Sequence, residues 1–366
     1  MVFANLPLGR GKVGEPRAEA PTCRWSKLSA GARRRMRFEI KTMKTLPIIF
    51  FGSSEFSVYV LKEFLKEYKP VLVLTLKGKP KGRGLKLQPN IVFEFCLKEK
   101  LNVIELEDWD NFKNSLNLIK PTVGVIAGFG KIIPKEIIDS FPKGILNVHP
   151  SILPKYRGPN PIREVILDGE KETGVTIFLI DELVDHGPML KQEKIELSGN
   201  ETYLELEEKL GKLGGKVLRE IIIDYLDGKI KTIPQDEKMA TYTKKISKED
   251  GFLSFDESYE IWQRKIRALN PWPSTYIYLN TRMATNEEQI ATNKMLKILN
   301  IEKLDEKSLP KEILKKNVGE FFEMRNDLGL RLKDSFVILQ EVQLEGRKKM
   351  SGREFLNGFR KILNIK

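Results

Sequence analysis

Leu46–Phe51 (LPIIFF), then Gly52-Ser53-Ser54, then Phe56, Val60, Leu61, Phe64 and Leu65 at helical spacing: this stretch reads strand, turn, helix, and it sets the fold. The runs Val71–Leu76, Thr122–Ala127, Ile145–Val148 and Val175–Ile180 repeat the pattern, each short and continuously apolar, as strands covered on both faces are. Val92–Leu97 and Lys135–Ser140 lie between them as helical stretches. Strand and helix alternating in this way predict an α/β fold, a Rossmann-like doubly wound and mostly parallel sheet. Thr202 and Glu205 form a capping box ahead of Leu206, Leu210, Leu213, Val217 and Ile221, so a long helix should run to about Leu226 and close the domain.

Beyond Asp227-Gly228 the chain turns polar and loses its period, so residues 229–247 are expected to be a linker between a catalytic domain at 43–228 and a second domain at 248–366. The second domain offers an amphipathic helix (Trp262, Ile266, Leu269) and a Pro-rich turn at Asn270–Pro273. Short strands at Gly329–Lys333 and Phe336–Val342 precede a capping box at Ser351 and Glu354 and a last helix carrying Phe355, Phe359 and Ile362. Small strands in this order predict a compact β-barrel. The uneven stretch Ala284–Lys294 is expected to be a loop.

The chain has 366 residues, enough for two domains, and 41% hydrophobic with 31% charged residues places it among globular proteins. No apolar run reaches about 18 residues, so a spanning helix is excluded. Cys23 and Cys96 lie too far apart for a ligand-like spacing, which removes a disulfide framework and a zinc ribbon, and a reducing, cytoplasmic setting fits. Of the net charge of +13, residues 1–42 carry ten basic against three acidic residues. That segment has no sustained apolar period and stops just before Met43, so it is expected to be a leader outside the fold, either an expression leader or a mis-called start. An Arg-rich organelle-targeting peptide is the alternative. The positive charge that remains favours an anionic partner.

His149 and His186 are the only histidines in the chain, so imidazole chemistry must use one of them. Asn147-Val148-His149 closes a strand and opens the cluster Pro150–Gly158, at the end where open parallel sheets bind ligands. Two apart on a strand, Asn147 and His149 project from one face, an amide that can hold an oxyanion beside an imidazole that can move a proton. For the pair alone, a backbone-satisfying Asn147 and a packed core His149 describe the residues equally well. The cluster Asp181–Pro188 follows the strand Val175–Ile180 and can bring Asp185 to the same crevice, where its carboxylate would favour an imidazolium. By itself Asp185 also fits a solvated loop residue.

Neither G-x-G-x-x-G nor G-x-x-x-x-G-K-[ST] occurs at the first turn, so dinucleotide and ATP binding lose support. The loop Lys77–Asn90 (KGKPKGRGLKLQPN) carries Lys77, Lys79, Lys81, Arg83 and Lys86 without an acid. Such a run is either a solvated face or a phosphate-binding loop, and the Gly-Arg-Gly setting points towards nucleic acid. Arg347-Lys348-Lys349 and Arg353 add a weaker basic cluster.

Taken together, these segments resemble the methionyl-tRNA formyltransferase family over about residues 44–366. The resemblance rests on Phe50–Ser57 (FFGSSEFS), Lys81–Leu87 (KGRGLKL), Asn147–Ile162 (NVHPSILPKYRGPNPI), Glu172–Leu190 (ETGVTIFLIDELVDHGPML), Asn270–Pro273 (NPWP) and Lys348–Leu356 (KKMSGREFL). It implies transfer of the formyl group of 10-formyltetrahydrofolate, as co-substrate, to the amino group of initiator methionyl-tRNA for translation initiation. The implied catalytic residues are Asn147, His149 and Asp185, and the folate-contacting segment is Ser151, Ile152, Leu153 and Pro154. Arg83, with Lys77, Lys79, Lys81 and Lys86, falls in the loop that meets the tRNA acceptor end, and the C-terminal barrel resembles an OB fold that helps hold tRNA. A monomer in the bacterial cytoplasm is expected, with no metal and no membrane partner. The leader has no counterpart in the family, the basic loop is richer in lysine than the family's usual form, and His186 is expected to have no catalytic role. The trio also belongs to a wider group of formyl-folate enzymes, so a formyltransferase for an amino sugar nucleotide is the alternative. A tRNA- or folate-binding protein without activity is the non-enzyme reading.

Overall fold

Strand β1 (Lys44–Gly52) enters the middle of a seven-stranded sheet and buries both of its faces. Leu46, Ile48 and Phe50 face one hydrophobic cluster while Ile49 and Phe51 face the other. A continuous apolar run is what a strand covered on both sides requires. The computed structural model describes residues 43–81, 86–284, 289–360 and 363, and the leader read at residues 1–42 lies outside them. Residues 43–366 form one compact unit.

After β1 the first half of the unit runs α1 (Glu55–Phe64), β2 (Tyr68–Leu76), a ribbon of β3 (Lys79–Lys81) and β4 (Lys86–Gln88), and α2 (Ile91–Lys98). It continues through β5 (Val103–Leu106), α3 (Trp109–Ile119), β6 (Val123–Ala127), α4 (Lys135–Ile138), β7 (Ile145–His149), α5 (Pro161–Asp168), β8 (Glu172–Leu179), β9 (Met189–Glu196) and α6 (Tyr203–Leu226). The sheet order is β5-β2-β1-β6-β7-β8-β9, parallel from β5 to β7 and antiparallel at β8 and β9. The Rossmann-like reading therefore holds, with an antiparallel pair added at one edge. Strand order reverses between β1 and β6, which opens a crevice at their carboxyl ends.

Helix α6 begins at the capping box read from the sequence, with Thr202 accepting from Glu205 N and the Glu205 carboxylate reaching back. Its glycines let it lie close: a Cβ at Gly215 would stand 2.5 Å from Val60 O, and one at Gly214 would stand 2.5 Å from Val148 Cγ1. The second contact matters for the site, because it draws Val148 of β7 to the helix side.

The second half comprises α7 (Tyr259–Leu269), β10 (Tyr276–Ala284), β11 (Gln289–Lys303), α8 (Lys311–Leu314), β12 (Phe321–Met324), β13 (Asp327–Arg331), β14 (Phe336–Leu344), β15 (Met350–Ser351) and α9 (Gly352–Phe359). The strands form a curled, barrel-like antiparallel sheet in the order β10-β11-β14-β13-β12, with β15 on β14. Trp262 fills its core, fully buried, with Nε1 donating to Ser254 O at 2.8 Å. Of the stretch Ala284–Lys294, expected to be a loop, residues 285–288 lie outside the described residues, while Ala284 and Gln289–Lys294 prove to be strand: Tyr276–Ala284 pairs with Gln289–Lys297 in register. A two-stranded ribbon is joined by backbone bonds, which leave little mark on side-chain periodicity.

Candidate functional site

β7 delivers two polar side chains to one face because Val148, between them, is turned against α6. Asn147 stands opposite Phe178 of β8, and the His149 ring meets Phe178 edge-on with centroids 6.3 Å apart. Asp185 arrives from the loop between β8 and β9. Its Oδ1 accepts from Asn147 Nδ2 at 3.3 Å, and its Oδ2 lies 3.7 Å from His149 Nδ1. The His149 side chain is 5% exposed and that of Asp185 15%, so a charge formed here is poorly screened by water. The three residues singled out from the sequence thus converge beside the crevice between β1 and β6. An amide donor, an imidazole and a carboxylate in this arrangement can hold an oxyanion, move one proton and stabilise the resulting cation.

Residues outside the trio keep it in place. His149 Nε2 is 2.9 Å from Tyr156 O. Gly158 N donates to Asp185 Oδ2 at 2.7 Å, from a backbone at φ +107° that favours glycine. Asp185 itself sits in the left-handed region at φ +48°. Gln235 holds it there, with Nε2 donating to Asp185 O at 2.9 Å and to Gly187 O at 2.8 Å. Arg157, fully buried, grips Gln235 Oε1 through Nε and Nη2 at 3.1 and 2.8 Å. It also meets the Glu237 carboxylate at 2.6 and 2.9 Å and the Tyr242 hydroxyl at 3.0 Å. The guanidinium holds the Glu237 carboxyl below its ordinary value.

Gln235 and Glu237 belong to the segment expected as a linker. That segment lies along the loop after β7: Arg157 N donates to Thr241 O at 2.9 Å and Thr243 N to Arg157 O at 2.7 Å. Its side chains take part as well, Thr241 Oγ1 accepting from Tyr156 N at 2.8 Å and Thr243 Oγ1 from Asn160 N at 3.1 Å. Gln235 has no mark in the sequence, since an isolated glutamine in a polar run carries no signal. Tyr156, Arg157 and Gly158 lie inside the cluster Pro150–Gly158, and the density of that cluster is their only mark in the sequence.

The segment Ser151–Pro154 packs down on β8. Ser151 Oγ donates to Lys155 O at 2.7 Å, Thr176 Oγ1 to Ser151 O at 2.7 Å and Gln192 Nε2 to Leu153 O at 2.6 Å. Ser151 and Leu153 are buried, whereas Ile152 and Pro154 are half-buried and retain surface for a ligand. Across the crevice Ser53 N donates to Gly128 O at 3.2 Å, locking the loops after β1 and β6 together.

Lys77 is exposed and faces Glu107 at 3.4 Å. Lys79, Lys81 and Lys86 lie on the β3–β4 ribbon, where Lys81 pairs with Lys86 and Lys79 with Gln88, so these positions share one face by register. Arg83 lies outside the described residues. A Cβ at Gly78 would stand 2.1 Å from Gln88 O, so the entry to the ribbon requires glycine. His186 points away from the trio, with Nδ1 2.6 Å from Asp181 Oδ2 and Nε2 3.5 Å from Glu237 Oε1. Among the described residues no group of three or more His, Cys, Asp or Glu side chains is placed to hold a metal ion, and no helix is long and apolar enough to cross a membrane.

A family model described as formyl transferase matches residues 44–222, and one described as formyl transferase, C-terminal domain, matches residues 245–360. The chain is 36% identical over 323 residues to the methionyl-tRNA formyltransferase of Caldicellulosiruptor saccharolyticus, covering 86% of this chain and 97% of that one. HypX of Aquifex aeolicus in complex with tetrahydrofolic acid superposes with TM-score 0.57 at 16% identity, over 86% of this chain and 47% of HypX. The N-formyltransferase of Helicobacter canadensis with folinic acid and dTDP-3-aminofucose gives TM-score 0.55 at 18% identity, over 80% of this chain and 98% of that one. At such identities the two solved structures show a shared fold.

Proposed function

From the premise that this chain belongs to the methionyl-tRNA formyltransferase family, we propose that it transfers the formyl group of 10-formyltetrahydrofolate to the α-amino group of methionine on initiator methionyl-tRNA. The family uses folate-derived formyl donors, and the chain is a formyltransferase of this kind. The convergence of Asn147, His149 and Asp185 at the end of β7 carries the mechanistic reading. In it the methionine amine attacks the formyl carbon, and Asn147 Nδ2 donates to the oxyanion that forms. His149 takes the amine proton and Asp185 stabilises the imidazolium. A folate fits the crevice in chemical terms, since half-buried Ile152 and Pro154 offer apolar surface beside the joined loops after β1 and β6. Lys77, Lys79, Lys81, Arg83 and Lys86 meet the phosphates of the acceptor end, and the barrel at 248–366 carries the rest of the tRNA. The chain acts as a monomer in the cytoplasm, and residues 1–42 take no part.

The shared fold with the Helicobacter canadensis enzyme leaves a sugar-nucleotide acceptor as the competing reading. The deciding experiment incubates the enzyme with 10-formyltetrahydrofolate and charged initiator Met-tRNA, elongator Met-tRNA or an amino sugar nucleotide. Rapid formylation of the initiator alone is expected. Turnover on the sugar with none on Met-tRNA would refute the proposal.

A further inference from the structure

We propose that Tyr156, acting through its main-chain carbonyl, is a positioning residue that keeps the proton of neutral His149 on Nε2 and so makes Nδ1 the atom that accepts the amine proton. The chemistry rests on the formyl-transfer reading above, but the tautomer assignment does not depend on it. A carbonyl oxygen only accepts, so the 2.9 Å contact between His149 Nε2 and Tyr156 O requires the hydrogen on Nε2. Nδ1 then carries the lone pair. It lies 3.7 Å from Asp185 Oδ2, beyond hydrogen-bond reach, on the side where Asn147 is placed. The opposite tautomer would set a lone pair of Nε2 against those of the carbonyl.

The direction of that carbonyl is built in. Tyr156 adopts φ +62°, a left-handed conformation that a bulky residue keeps only when its surroundings impose it. Its N donates to Thr241 Oγ1 at 2.8 Å, and its hydroxyl lies 2.8 Å from both Asp168 Oδ2 and Glu170 Oε1. Burial, reinforced by the two carboxylates, pushes the phenol's pKa up, so the hydroxyl remains a donor. Three anchors on one residue therefore fix the group that fixes the histidine.

The proton count closes. The amine nitrogen forms its bond to the formyl carbon, and the proton it sheds goes to Nδ1. The bond from carbon to N10 of the folate then breaks with its electron pair on N10, which recovers that proton from Nδ1. While charged, the imidazolium has both N–H groups facing acceptors, Nε2–H on Tyr156 O and Nδ1–H towards Asp185.

The test is nitrogen-15 NMR of histidine-labelled full-length enzyme, which is uncluttered because the chain holds two histidines. A His186→Gln variant assigns the remaining ring to His149. In the unaltered enzyme at neutral His149 charge, Nε2 should carry the proton and Nδ1 should resonate as an unprotonated nitrogen; a proton on Nδ1 overturns the proposal. Tyr156→Phe, which removes both hydroxyl contacts, combined with Thr241→Val, which removes the third, strips all three anchors. It should shift His149 towards mixed tautomers and lower kcat about tenfold, with folate affinity within about twofold. An unchanged tautomer in that variant also overturns the proposal. An enzyme with Nε2 protonated that fails to formylate Met-tRNA would support the tautomer assignment and refute the substrate reading, so the two failures are distinguishable.

Discussion

Replacing Asp185 by Asn tests whether the carboxylate acts on the charge that His149 acquires. In the resting site Asp185 Oδ2 is 3.7 Å from Nδ1, with no hydrogen bond between them. The attraction arises only when Nδ1 gains its proton, so it favours the charged stage of the reaction over the ground state. Two unit charges about 4 Å apart attract by about 4 kcal/mol at an effective dielectric constant of about 20. That corresponds to about 10³ in rate. The amide has a second effect. Asp185 accepts from Asn147 Nδ2 and from Gly158 N, and an asparagine can offer an oxygen to one of them while its NH₂ opposes the other. Leaving a buried donor unmatched costs about 1–3 kcal/mol and disturbs either the oxyanion donor or the loop. Single-turnover formylation of initiator Met-tRNA at saturating folate should therefore slow by about 10²–10³. Folate affinity, measured in parallel by fluorescence quenching, should stay within about threefold. A rate loss below about tenfold would refute the idea that Asp185 sees the imidazolium, and a loss confined to KM would assign it to binding.

Asn147→Ala and His149→Ala should each reduce turnover by about 10²–10⁴, and near-normal turnover of both would return the pair to a packing role. Arg83→Ala should depress formylation of Met-tRNA far more than folate binding, while Lys77→Ala with Lys79→Ala should mainly weaken tRNA affinity and flatten its salt dependence. Equal losses in tRNA activity and folate binding for Arg83→Ala would make that loop a support of the folate pocket. Glu207, on α6, is buried and its carboxyl is pushed up by burial, with the Tyr203 hydroxyl bonded to it at 2.7 Å. A raised folded-state pKa means the fold holds the proton more tightly than the unfolded chain does. Stability is therefore lost as pH rises from the unfolded carboxylate range through the folded pKa. Glu207→Gln should melt higher than the parent at neutral pH and match it near about pH 3; an advantage that persists in acid would contradict the assignment. Removing residues 1–42 should leave formylation nearly intact, and a folded but inactive truncation would refute that expectation.

Features whose information is local can be read directly from the chain. LPIIFF reads as a doubly covered strand because every residue from Ile48 to Phe51 is apolar, and the structure buries Ile48, Phe50, Ile49 and Phe51 on alternate faces. The capping boxes at Thr202 and Ser351 fixed the starts of α6 and α9, since a cap is a contact between residues three apart. The period of two on a strand was also enough to put Asn147 and His149 on one face. Contacts between distant stretches are legible in the folded chain alone. Gln235 reaches Asp185 across 50 positions of chain, and Tyr156 turns its carbonyl to His149 because Thr241, Asp168 and Glu170 hold it there. Main-chain donors and acceptors are the same in every residue, so a sequence does not announce which carbonyl will meet an imidazole. The ribbon of β10 and β11 escaped for the same reason, being held by backbone pairing where side-chain pattern was the guide. Residue types named the chemistry, while the close packing of α6 on β7 and the course of residues 233–243 set the distances at which it operates.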